Sequence, residues 1–119
     1  MGRQYDKQHA RTMLATAPIE ANRFIALDGG YATNAGASKD SAGVSESSAG
    51  IGDVFSVITG FSALVVASEP IAQHAFVRPA ADGSGKAATG TATDYCGRAM
   101  EAAVAGQLVE IRILPHRHT

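Results

Sequence analysis

The chain is written twice. Pro18-Ile19 through Phe24-Ile25 returns 52 residues later as Pro70-Ile71 through Phe76-Val77. Asp28, Asp40, Gly43 and Gly52 return 54 residues later as Asp82, Asp94, Gly97 and Gly106. The offset changes once, which places a two-residue insertion within Arg78-Pro79-Ala80-Ala81. Each copy closes on an alternating run, Val54 to Thr59 and Leu108 to Ile113. A repeat of this period fixes the architecture before any local propensity is consulted. A duplicated β unit with no catalytic constellation in either copy points to a structural or binding role.

With 119 residues the chain makes one domain. Copies of about 50 residues are marginal alone, so the two are expected to share a core. The predicted organisation is an extended N-terminal arm (residues 1–17), a duplicated β domain (18–114, with copies at 18–67 and 70–114) and a C-terminal tail (115–119). The fold class is mostly β, a barrel-like or sandwich-like domain with long Gly/Ala/Ser loops. The absence of tryptophan and the wealth of small residues suit strands and loops better than a helix bundle. A net charge of −1 gives no general attraction to nucleic acid or to an anionic membrane. Residues 1–23 are locally basic, with Arg3, Lys7, Arg11 and Arg23 against Asp6 and Glu20. Cys96 is the only cysteine, so no intramolecular disulfide forms. No apolar run is long enough to cross a bilayer as a helix, and no signal-peptide core is present, so synthesis in the cytoplasm is expected.

Along the chain, Phe24-Ile25-Ala26-Leu27 reads as a strand ending at the turn Asp28-Gly29-Gly30. Residues 29–50 read as a long loop with a short strand near Gly43-Val44-Ser45. Val54 to Thr59 and Phe61 to Ala67 follow as strands. In the second copy, Phe76-Val77 is a strand, Asp82 to Gly85 a turn, and residues 86–93 a small polar segment. Leu108 to Leu114 is the clearest strand, with Val109, Ile111 and Ile113 on one face and Glu110 and Arg112 on the other. Ala99 to Ala105 has helical propensity. Its repeat partner, Ser45 to Ile51, does not, so a strand is expected at 98–103 with a loop to Gly106.

No group of residues makes a catalytic or metal site. His116 and His118 lack the further ligands of a closed metal centre. His9 and His74 have no carboxylate in fixed register. Cys96 has no base in a recognisable signature and reads as a small buried hydrophobe. Asp82-Gly83-Ser84-Gly85-Lys86 lacks the spacing of a phosphate loop. Lys39 and Lys86 lack the flanking motif of a lipoyl or biotinyl carrier. The recurring aspartates read as Asx-turn residues. No cofactor is implied.

Pro70-Ile71-Ala72, Phe76-Val77, Asp82-Gly83, Ala92-Thr93-Asp94, Gly97-Arg98-Ala99-Met100-Glu101-Ala102-Ala103, Ala105-Gly106 and Leu108-Val109-Glu110-Ile111 together resemble the capsid cement, or head decoration, family of tailed bacteriophages. The similarity covers about residues 18–114 and is densest from Pro70 to Leu114, while Cys96 and the histidine-bearing tail depart from it. The resemblance implies a small β-rich structural protein, commonly a homotrimer, on the exterior of the virion. It would bind the major capsid protein at threefold positions between capsomers and stabilise the expanded shell, without contacting nucleic acid or membrane. For the arm, Arg3, Tyr5, Lys7 and Arg11 are the candidate capsid or subunit contacts, the cations steering and the tyrosine anchoring. The alternatives are a virion adhesion or fibre-associated module, and an enzyme whose site assembles at a subunit interface from His74, Asp82, Asp94 and Cys96.

Overall fold

The computed structural model describes residues 9–33 and 37–117 and arranges nine strands of that span in two antiparallel sheets. Strands β1 (Ala10–Leu14), β2 (Phe24–Ala26), β3 (Ser41–Ser45) and β4 (Val54–Ile58) form one sheet in the order β1-β4-β3-β2. Strands β5 (Ser62–Val66), β6 (Phe76–Pro79), β7 (Ala87–Thr89), β8 (Tyr95–Ala99) and β9 (Leu108–Arg117) form the other in the order β5-β9-β8-β6-β7. With β7 set aside, the two orders are the same.

The repeat extends to individual pairings. Arg11 faces Val57 in the first sheet as Ala63 faces Ile111 in the second. Ile25 faces Gly43 as Val77 faces Gly97, and Ser45 faces Val57 as Ala99 faces Ile111. Connections repeat as well: the Ile19 N–H donates to Ala49 O and the Ile71 N–H to Ala103 O, each at 2.8 Å. Asn22 and His74 both adopt positive φ, 65° and 69°, and donate to Ser45 O and Ala99 O. Side chains rarely accept that conformation, so its recurrence marks a shared backbone. Gly43 and Gly97 recur for a steric reason. A Cβ at either would collide with a carbonyl oxygen on the neighbouring strand, that of Ile58 or of Arg112.

Several segments depart from the sequence-based expectation. Ala10–Leu14, within the arm, pairs along β4 as an edge strand. Phe61 to Ala67 does not close the first unit. It opens the second as β5, the counterpart of β1. The strand expected at 98–103 lies at Tyr95–Ala99, and no helix forms at 99–105. Propensity differences of a few tenths of a kcal/mol per residue lose to the β8–β9 ladder and to the Ile71–Ala103 bridge. In the segment 86–93, Ala87–Thr89 pairs with β6 as β7, and at the corresponding edge of the first unit Tyr31 bridges Ile25. Strand β9 continues through Arg117, so residues 115–117 belong to the sheet.

Packing distinguishes the two units. Ala15, Ile19, Ile25, Phe55 and Val57 cluster on one face of the first sheet, with Met13, Tyr31 and Ala49 against them. Their counterparts Ala67, Ile71, Val77, Val109 and Ile111 cluster in the second unit. Onto that second cluster pack Phe24, Ala26, Val44 and Ile58 from the opposite face of the first sheet. The units therefore stack back to front. Each fully buried large apolar side chain contributes roughly 1.5–3 kcal/mol. Strands β2, β3 and β4 carry buried residues on both faces of the first sheet, whereas β8 and β9 expose Arg98 and Arg112 on one face of the second. Single bonds join the sheets, Val66 N–H to Asn22 O at 3.0 Å and Phe24 N–H to Gly85 O at 2.7 Å. No ladder links them, so the fold is sandwich-like and not a closed barrel. No helix among the described residues is long and apolar enough to cross a membrane.

Candidate functional site

Of the four contact residues proposed from sequence, Arg3, Tyr5 and Lys7 lie outside the described residues. Arg11 is exposed on edge strand β1, opposite Val57. Three of the four groups named for an interface active site, Cys96, Asp94 and Asp82, take part in contacts within the chain. Cys96 is buried in the main core, and burial pushes its thiol pKa well up, so a thiolate is disfavoured. Asp94 is ion-paired with Arg78. Asp82 accepts the Ser84 N–H at 2.9 Å, an Asx turn matched by Asp28 and the Gly30 N–H at 2.9 Å. His116 uses Nδ1 to accept the Ser41 N–H at 2.6 Å, tying β9 to the first sheet. Among the described residues no three His, Cys, Asp or Glu side chains converge as a metal ion would require.

Asp28 also pairs with Lys39 at 2.8 Å, and this hydrogen bond holds its carboxyl pKa below the ordinary value. A depressed folded-state pKa stabilises the fold above the unfolded value, near 4, and that contribution vanishes as pH falls through the folded value. Because both groups are partly exposed, the contribution is below about 1 kcal/mol. Thermal melts of Asp28→Asn should lie slightly below the parent at neutral pH, and the gap should close as pH falls below the ordinary carboxylate range. A gap that persists unchanged in acid would place the effect in packing instead.

The outer face of the second sheet is the surface that stacking leaves free. Its residues are counterparts of those the first unit buries. Val44, fully buried, corresponds to Arg98, and buried Ile58 corresponds to Arg112; both arginines are exposed. Ala26, also buried, corresponds to Arg78, which is partly exposed. Arg98 lies 4.5 Å from the Phe76 ring centroid and donates from Nε to His74 O at 2.8 Å. Phe76 stacks in turn on Tyr95, with centroids 4.8 Å apart. Arg112 lies 5.5 Å from the ring centroid of Phe61. Between them is an open depression of about 350 Å³ lined by His74, Arg98, Ala99, Met100 and Arg112. Its polar groups are the two guanidinium groups and the His74 imidazole, with the Met100 thioether beside them.

Sequence reasoning placed Arg112 on a wet face but assigned it no role. The signal was available in the repeat itself. At offset 54, Val44 becomes Arg98 and Ile58 becomes Arg112, a change from apolar to cationic at positions that share one strand face. A stack of repeats needs a polar outer face at its end, and here arginines resting on aromatic rings provide it.

The fold resembles that of the head fibre gp8.5 N base of bacteriophage phi29. That crystal structure matches with a TM-score of 0.63 and 20% sequence identity, covering 93% of this chain and 98% of that one. No sequence among the curated proteins matches. The family model described as phage cement protein matches residues 4–113, across both sheets and the outer arginine face. The duplicated β sandwich thus belongs to the phage cement protein family, and the chain is a structural protein of the virion.

Proposed function

We propose that the chain binds the exterior of the expanded capsid at threefold positions between capsomers, as a homotrimer on the major capsid protein, and reinforces the shell. The family match over residues 4–113 carries this reading. The architecture supports it. A rigid double-sheet body holds long loops of small residues at its surface, and these can mould to a neighbour at modest steric cost. Several attachments per trimer would offset the ordering cost of each loop and arm, about 1–2 kcal/mol per residue. Near-neutral net charge suits a protein outside a shell packed with nucleic acid.

The arm, residues 1–17, is the proposed reach to the capsid or to an adjacent subunit, with Arg3, Lys7 and Arg11 steering and Tyr5 anchoring. Pairing of β1 with β4 would tether its base. Deleting residues 2–12 should reduce occupancy on purified, undecorated expanded heads at least tenfold. Because β1 loses residues 10–12, a shorter deletion of 2–8 separates attachment from folding. Undiminished occupancy with both deletions would sink the role of the arm.

The likeness to a head fibre base favours a second reading, a module at the foot of a fibre that contacts host cells. Saturable binding to undecorated heads supports the cement reading. Binding to cells without binding to heads supports the other. Density at threefold positions in cryo-microscopy of the virion tests the location directly.

A further inference from the structure

Arg98 and Arg112 face each other across β8 and β9 as a direct cross-strand pair. Like charges in that position oppose sheet formation. Among the described residues neither guanidinium has a carboxylate partner, although Arg23, Lys39 and Arg78 all do. The pair is splayed instead. Arg98 leans toward β6 onto Phe76, and Arg112 leans toward β5 onto Phe61. The Nε–H of Arg98 is fixed on the His74 carbonyl, and His74 is itself held at φ 69°. Two guanidinium forks, that of Arg98 fixed by its hydrogen bond, therefore flank an open depression with Met100 at its side.

This geometry says which anion fits. A polyanion of high charge density needs an extended cationic track. Here two arginines stand beside Glu110 and Glu101, the latter accepting the Glu110 N–H at 3.0 Å, so the positive field is local. Exposed Phe61 and Met100 add apolar contact at the rim. Guanidinium forks match carboxylates bidentately, and aromatic platforms reduce the entropy lost on binding. Resting on the capsid-attachment reading for its natural partner, we propose that this depression is a docking site for carboxylates on an acidic protein surface, gripped by Arg98 and Arg112.

Titrating the full chain with poly-L-glutamate, and separately with dextran sulfate, tests the chemistry without any capsid. The readout is the NMR shift of the arginine Nε–H and Met100 methyl signals. Saturable shifts at Arg98, Arg112 and Met100 with poly-L-glutamate are expected. Arg98→Ala/Arg112→Ala should weaken binding at least tenfold, and Arg98→Lys/Arg112→Lys should restore only part of it. Equal binding by the alanine variant, or a response to dextran sulfate alone, overturns the proposal. The attachment reading is judged separately on undecorated expanded heads. If the parent binds heads and the alanine variant binds equally, the site is refuted while attachment stands. If the parent binds no heads, attachment fails while the titration still decides the site. Thermal melts matching the parent show that the variants remain folded, as outward side chains predict.

Discussion

Val44→Arg is expected to leave the chain unfolded at room temperature, whereas the reverse exchange at the equivalent position, Arg98→Val, should melt within a few degrees of the parent. The two positions share strand, register and neighbours in their own units: Val44 pairs with Ile58, and Arg98 with Arg112. They differ in what lies beyond the sheet. Val44 is fully buried where the first unit stacks on the second, among Phe24, Ala26 and Ile58. An uncompensated guanidinium there costs several kcal/mol, against a total domain stability of roughly 5–15 kcal/mol. Arg98 faces solvent, and a valine there relieves repulsion with Arg112 while losing the stack on Phe76. Circular dichroism melts with gel filtration check both. A Val44→Arg protein that melts cooperatively near the parent would refute the back-to-front stacking.

The same asymmetry explains what was legible in the sequence. The recurring Gly43 and Gly97 were visible because close approach to a neighbouring carbonyl admits no side chain in either unit. Asp28 and Asp82 were visible because each accepts a backbone N–H two residues on. Strand β1 was hidden. Its burial is slight, only Met13 being partly covered, so Ala10 to Leu14 show no apolar alternation. Its counterpart β5 is rich in Val and Leu because it closes the main core, and it therefore seemed to end the preceding copy. Strand β7 was hidden because Ala87-Ala88-Thr89 has little side chain to pattern and is held by its ladder to β6. Stacking of one unit on the next lies outside any local signal. It shows in the sequence only when the copies are aligned and buried apolar positions are seen to turn into arginines. The outer face was thus readable as a wet surface, and its chemistry became readable only through the fold.

Phe24→Ala and Phe76→Ala should then give unequal losses from identical substitutions at equivalent positions. Phe24 is 1% exposed, among the largest side chains of the core, and sits between the sheets. Removing its ring deletes apolar contact and leaves a cavity that two tied sheets cannot readily close, a cost of about 3–5 kcal/mol. With a urea slope of about 1–3 kcal/mol per molar, the unfolding midpoint should fall by at least about 1 M. Phe76 is partly exposed and contributes a stack on Tyr95 and a platform for Arg98. Its loss should cost about 1–2 kcal/mol. The order reverses for attachment. Phe76→Ala frees the Arg98 guanidinium from its platform, so binding to acidic polypeptide should weaken severalfold although the domain remains folded. Phe24→Ala, studied well below its melting temperature, should bind as the parent does, because Phe24 does not line the outer depression. Equal denaturation midpoints for the two variants would mean that the units do not stack in this order. Equal binding by Phe76→Ala and the parent would mean that Arg98 needs no aromatic support to hold its carboxylate.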